Sequence, residues 1–195
     1  MHKGLLLSFL VATAAYGSES KVAGRVFLSS GEVAEVICTR KGSPTGATAT
    51  LTARFSSGIV VTVSSKEDLT RRHGETRISD GKTVLEFFED SGYYSDNLPV
   101  PLQVKIGDTV YRVLLKPNAL TNDQKKMQAA VAKLPAPFTT ALQQLIPIGL
   151  NSECSISSLA ILSEMFDGGL PKNTITTMKK LEPAEIAALI RDAVK

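Results

Sequence analysis

The sequence predicts an α+β protein in which an antiparallel β-sandwich is followed by a bundle of short helices. Two observations predict this fold class. Between Val22 and Lys116, apolar and polar residues alternate with the period of a β-strand, whereas after Pro117 the apolar residues recur at helical spacing. The change of period places a boundary near residue 118. The chain is accordingly divided into a signal peptide at 1–17, a β-sandwich domain at 18–118 and a helical domain at 119–195.

The strand prediction is strongest from Ala47 to Phe55, where apolar and polar residues alternate without interruption. Such a strand buries one face and exposes the other. The same pattern lies on both sides of Gly107-Asp108, which predicts the turn of a β-hairpin. Two Ser-Ser-Gly turns are also predicted, with Gly31 and Gly58 in the left-handed conformation. The seven predicted strands are 22–28, 32–39, 47–55, 59–64, 83–89, 99–106 and 109–116.

Seven short antiparallel strands with turn signals between them resemble the architecture of immunoglobulin-like domains. The residues of a true immunoglobulin core are missing, since Cys38 is the only cysteine of the strand region and the chain has no Trp. The resemblance therefore implies an architecture and transfers no function.

Five short helices are predicted in the C-terminal part. Thr121 and Gln124 form a capping box before the first helix, which ends at Pro135, and Pro147 ends the second. Pro183 is placed at the first position of the last helix. The third, fourth and fifth helices are predicted from Ser152 to Phe166, from about Asn173 to Lys180 and from Pro183 to Val194.

The first residues have the pattern of a secretory signal peptide. Lys3 supplies a positive charge, and the apolar stretch from Leu5 to Tyr16 is too short to span a bilayer. Small residues in Ala15-Tyr16-Gly17 suit a cleavage site. A retained anchor is the alternative. We therefore expect an exported protein, periplasmic or secreted, with no integral membrane span after cleavage.

The charge of the chain is small and evenly distributed. Lys and Arg number 22 against 19 Asp and Glu, for a formal net charge of +3. Residues 18–120 hold 13 basic and 12 acidic side chains, and residues 121–195 hold 8 and 7. Proteins that bind nucleic acid concentrate Lys and Arg on one face. No nucleic-acid partner is therefore expected.

Few residues of the chain are suited to catalysis. His73, in a stretch from Lys66 to Arg77 that is predicted as a solvated loop, is the only histidine after the signal segment. A metal site built from several histidines is thus excluded, and no metal or other cofactor is expected. Glu86 and Glu89 could supply the two carboxylates of a glycosidase, but strand alternation places them on opposite faces. No catalytic residue is assigned.

Cys38 and Cys154 are predicted to form a disulfide, because two cysteines in an exported protein most often pair. The bridge would close a loop of about 115 residues and tie the strand region to the third helix. Two alternatives stay open. Cys154 could be a reactive thiol at a helix start, or both cysteines could be separate buried thiols.

A loop from Asp90 to Asn97 has the composition of recognition loops, which combine Tyr with Ser, Gly and Asn. The alternative is that its two tyrosines only cover the edge of the core. The residues predicted to contact a partner are Tyr93, Tyr94, Asp96 and Asn97.

These features together predict an exported, non-catalytic binding or scaffolding protein with a protein partner. Two other functions remain open. One is a secreted hydrolase or thiol enzyme that uses His73 or Cys154. The other is a protein that binds lipid or a small ligand between the sandwich and the helices.

Overall fold

The computed structural model describes residues 19–68, 70, 73–89, 100–115, 121–151, 159, 175–182, 184, 185 and 187. Nine strands and two helices have described bounds in this part of the chain, and a few further residues are helical. The strands are β1 (Glu19–Leu28), β2 (Val33–Ser43), β3 (Gly46–Phe55), β4 (Val60–Asp68), β5 (His73–Ser79), β6 (Val84–Glu89), β7 (Val100–Ile106), β8 (Thr109–Leu115) and β9 (Ile175–Lys180). The helices, between β8 and β9, are α1 (Asn122–Val131) and α2 (Ala136–Asn151).

The nine strands form one antiparallel sheet in the order β8-β7-β6-β5-β4-β3-β2-β1-β9. Each of the strands β1 to β7 pairs with the next one along the chain, which makes the first eight strands a meander. β9 returns from the C-terminal part and pairs with β1. Among the strands that the structure describes, β8 and β9 are therefore the two edges of an open sheet.

The predicted immunoglobulin-like β-sandwich is wrong. A sandwich packs two sheets face to face and joins them by connections that cross between the layers, whereas here the strands lie in one layer. Helices cover the buried face instead, because Met127, Val131, Phe138 and Leu142 belong to the same hydrophobic cluster as the inward-facing strand residues. Alternation in a strand reports that one face is buried and does not report what covers it.

The seven predicted strands correspond to β1–β4 and β6–β8, with shifts of a few residues at their ends. β5 was not predicted from the sequence, and it lies where a solvated loop from Lys66 to Arg77 was predicted. β4 also extends into that stretch, to Asp68. Gly31 and Gly58 have φ of 85° and 87°, which confirms their predicted left-handed conformation.

The two Ser-Ser-Gly turns lie side by side and are joined by Glu32. The hydroxyl of Ser56 and the backbone N–H of Ser57 donate to its Oε1 at 2.7 and 2.8 Å. These hydrogen bonds, that from Ser56 foremost, hold the pKa of Glu32 below its ordinary value. The carboxylate thus connects the β1–β2 turn to the β3–β4 turn.

The predicted five-helix bundle is also wrong. α1 begins after Thr121, and both bonds of its capping box are present, with donor–acceptor distances of 3.2 and 2.8 Å. α2 continues through Pro147, where the prediction ended it. The buried residues around this proline, among them Ile146 and Ile148, offset the local cost of a proline inside a helix. No helix in the described part of the chain is both long and apolar enough to cross a membrane.

The segment predicted as a fourth helix is the edge strand β9. It begins with Ile175, Thr176 and Thr177, and β-branched residues of this kind favour strands over helices. Pairing with β1 then settles the conformation. The predicted third helix lies outside the described residues except for the helical Leu159, and of the fifth only Ala184, Glu185 and Ala187 are described, all helical.

Candidate functional site

The predicted contact loop is not tested by the structure. Tyr93, Tyr94, Asp96 and Asn97 lie outside the described residues, and so does Cys154. Their predicted roles therefore stay predictions.

Cys38 lies on β2 with only 3% of its surface exposed. Leu159, five residues after Cys154 in the sequence, is fully buried in the same hydrophobic cluster as Cys38. No cysteine in the described part of the chain is free. Because that part contains only one of the two cysteines, it describes no complete disulfide, and the pairing of Cys38 with Cys154 stays a prediction.

A thiol count tests this pairing. The full chain, unfolded without reductant and treated with a thiol-reactive chromophore, is expected to contain no free thiol. After reduction the same assay should find both cysteines. Two free thiols before reduction would show that the bridge is absent and would leave the two alternatives, a reactive Cys154 thiol and two separate buried thiols.

Two carboxylates face each other across β5 at one end of the sheet. Glu67 on β4 is opposite Gly74 on β5, and Gly74 is in turn opposite Glu89 on β6. Strand alternation puts both carboxylates on the face that carries the core, since Val63, Ile78 and Leu85 line up in the same way farther along these strands. We refer to Glu67 and Glu89 as the carboxylate pair.

Gly74 lies beneath the side chain of Glu89. A Cβ atom at this position would lie 3.8 Å from Cβ and 3.9 Å from Oε1 of Glu89, so the Glu89 side chain lies over the glycine. The adjoining row holds Ser65 and Thr76, which are buried, and the Thr76 hydroxyl is 3.3 Å from that of Ser65. The apolar core thus ends in a small polar patch below the carboxylate pair.

The environment of Glu89 favours its protonated form. Burial, with a contribution from the negative charge of Glu67, raises the pKa of Glu89 to about 7, while His73 acts in the opposite direction. A carboxyl group with this pKa can gain or lose a proton near neutral pH. Glu89 is therefore the member of the carboxylate pair whose charge changes near neutral pH.

His73 and Glu86 occupy the opposite, exposed side of the sheet. Nε2 of His73 is 3.4 Å from Oε1 of Glu75. Glu86 lies between Arg77 and Lys105, at 3.1 and 3.3 Å, and so points away from the face that carries Glu89, as alternation predicts. Among the described residues, no group of three or more His, Cys, Asp or Glu side chains could hold a metal ion.

Two shallow hollows also lie on the surface. One, of about 310 Å³, is lined mainly by residues of the exposed face, including Thr48, Thr50, Ser64 and Arg77. The other, of about 530 Å³, surrounds the turn between β2 and β3. Their lining includes charges of both signs and hydroxyl groups, and neither hollow lies between the sheet and the helices.

Edge strand β8 exposes large apolar residues. Val110 is 50% and Leu114 is 44% exposed, whereas the inward-facing Val113 is 4% exposed. Arg112, also exposed, lies between the two apolar residues on the same face. An edge strand offers backbone N–H and C=O groups to an added strand. We call Val110, Arg112 and Leu114, with the backbone edge of β8 that pairs with no other strand the structure describes, the β8 edge.

Neither the carboxylate pair nor the β8 edge was predicted from the sequence. The carboxylate pair depends on the register of three strands, one of which was not predicted. A glycine within a charged stretch, such as Gly74, was the available signal, because glycine in a strand often marks a close approach. Predicting the β8 edge requires knowing which strand lies at the edge of the sheet, and the sandwich prediction did not include this strand order.

Comparison with known proteins gives no relative from which a function could be transferred. The chain matches no protein-family model, and no curated protein or solved structure is significantly similar to it.

Proposed function

We propose that this chain is an exported, non-catalytic binding or scaffolding protein that acts through protein–protein contacts in the cell envelope or outside the cell. The β8 edge is the observation that carries the proposal. Strands at an open edge pair with extended segments of other proteins, and natural proteins usually protect long apolar edges. Here Val110 and Leu114 are exposed instead. Export is inferred from the signal-peptide pattern of residues 1–17.

The β8 edge is held in place before any partner arrives. All seven residues of β8 are in register with β7, from Thr109 opposite Ile106 to Leu115 opposite Val100. α1 packs against β8 and β7 from the side of the core. A rigid edge of this kind loses little conformational entropy on binding, so more of the contact energy appears as affinity.

Site-specific photocrosslinking tests the proposal. The full chain, exported in its source cells, would carry benzoylphenylalanine at position 110 in one variant and at position 60 in another. Val60 is also exposed, at 39%, but lies on the interior strand β4. We expect one protein to be crosslinked reproducibly from position 110 and not from position 60. Absence of a specific crosslink from position 110, or equal crosslinking from both positions, would contradict the proposal.

A further inference from the structure

The outward face of β8 has one cation between two apolar residues. An added strand would place its alternate side chains beside Val110, Arg112 and Leu114, because directly opposite residues in a sheet lie within about 5.5 Å of each other. Arg112 is opposite Gln103 on β7, and Val110 is opposite Lys105. The face that a new strand would meet is therefore apolar at its ends and basic in its middle.

Arg112 and the neighbouring Lys105 differ in their ion pairs. Lys105 already contacts Glu86 at 3.3 Å. On β7 the residues that share the outward face with Arg112 are Pro101, Gln103 and Lys105, none of them acidic. Arg112 forms no ion pair with any residue that the structure describes. An acidic residue on an added strand would supply an opposite charge for Arg112.

A second copy of the chain fits this edge poorly. Two β8 strands could set Val110 against Leu114 of the other copy, but this antiparallel register also sets the two Arg112 residues opposite each other. The other edge, β9, carries the exposed Lys179 opposite Arg25 of β1, and Arg25 is itself paired with Glu35 at 2.8 Å. Joining β8 to β9 of another copy in a register that sets Lys179 beside Arg112 would bring two like charges together, which is destabilising.

We propose that the β8 edge binds an extended segment of a different protein in which an acidic residue lies between two apolar residues at alternate positions. The segment continues the sheet through backbone hydrogen bonds, its apolar residues cover Val110 and Leu114, and its carboxylate pairs with Arg112. This is strand addition with the specificity set by alternate side chains. The inference rests on the proposed binding function and specifies its partner.

Two synthetic peptides test this specificity. The acidic peptide has the sequence TVTETVT, the basic control has TVTKTVT, and both are acetylated and amidated. Each peptide is titrated, up to about 1 mM, into the isotope-labelled full chain, and binding is followed by amide chemical shifts. This range detects a dissociation constant of about 1 mM, which corresponds to a binding free energy of about 4 kcal/mol. We expect the acidic peptide to bind at least about tenfold more tightly, with the largest shift changes along β8.

Charge reversal at the edge completes the test. Arg112→Glu is expected to reverse the preference between the two peptides. Lys82→Glu, which changes the net charge equally in the exposed turn between β5 and β6, is expected to leave it unchanged. Circular dichroism of both variants confirms folding. Equal binding of the two peptides, absence of binding, or shift changes away from β8 would overturn the inference. If position 110 still crosslinks a partner in that case, the binding function stands and only the acidic specificity fails.

Discussion

Gly46→Ala is expected to lower the free energy of unfolding by more than about 2 kcal/mol, because the new methyl group has no room. A Cβ atom at Gly46 would overlap the backbone carbonyl oxygen of Glu67 and lie 3.2 Å from the carbonyl carbon. Both are backbone atoms of β4, which pairs with β3 at this point through Gly46 and Asp68. The clash can be relieved only by moving the two strands apart, unlike a clash with the end of a flexible side chain.

Gly42→Ala is the matched control for this substitution. Gly42 lies on β2 in the same hairpin, and a Cβ atom there would meet nothing within 4 Å. Alanine restricts the unfolded chain more than glycine does, so this variant should be neutral or more stable by up to about 1 kcal/mol. Urea unfolding followed by far-ultraviolet circular dichroism measures both variants. Equal losses at Gly42 and Gly46 would show that the close approach of β3 to β4 is not the cause.

The position of Gly46 also affects the carboxylate pair. The carbonyl oxygen in contact belongs to Glu67, whose charge adds to the effect of burial in raising the pKa of Glu89, and separating β3 from β4 displaces this residue. We therefore expect Gly46→Ala to alter the pH dependence of stability as well as its magnitude.

The strand positions could be predicted where one face is apolar and the other polar. β3 shows this alternation along its whole length. β5 does not, because Gly74 and Thr76 occupy its inward face while Glu75 and Arg77 occupy its outward face. Polar residues on both faces leave no period for the sequence to reveal. Only the pairing of β5 with β4 and β6 makes this segment a strand.

The arrangement of the strands could not be predicted from local patterns. A meander and a sandwich require the same alternation of apolar and polar residues along each strand. They differ in which strands pair and in what covers the buried face of the sheet. Here the covering residues, such as Met127 and Phe138, lie on helices that the sequence did predict. What was missing was the non-local information that those helices pack on the sheet and that β9 joins β1.

The second large effect is expected at Glu89, where Glu89→Gln should stabilise the chain above neutral pH. Folding raises the pKa of Glu89 from 4.5 to about 7, so the folded chain binds more protons than the unfolded chain between these pH values. The stability that this group contributes is therefore fully present below about pH 4.5 and is lost as the pH rises through about 7. Glutamine stays neutral throughout and avoids this loss.

The expected gain is about 1–2 kcal/mol near pH 8 and close to zero near pH 4.5. A pKa difference of this size corresponds to about 3 kcal/mol, and solvent screening of the half-buried carboxylate reduces it. Urea unfolding at several pH values between these limits measures the difference. If the free energy of unfolding of Glu89→Gln changes with pH as steeply as that of the unmodified chain, the assignment is contradicted.

Two further variants separate the causes of this pH dependence. Glu67→Gln removes the neighbouring charge, so the transition should move to lower pH but persist, because burial is the larger cause. Glu86 lies on the same strand as Glu89 but on the opposite face. Glu86→Gln removes its ion pairs with Arg77 and Lys105. Such exposed ion pairs contribute less than about 1 kcal/mol. We therefore expect a small loss of stability with the pH dependence unchanged, which assigns the effect to the inward face of the sheet.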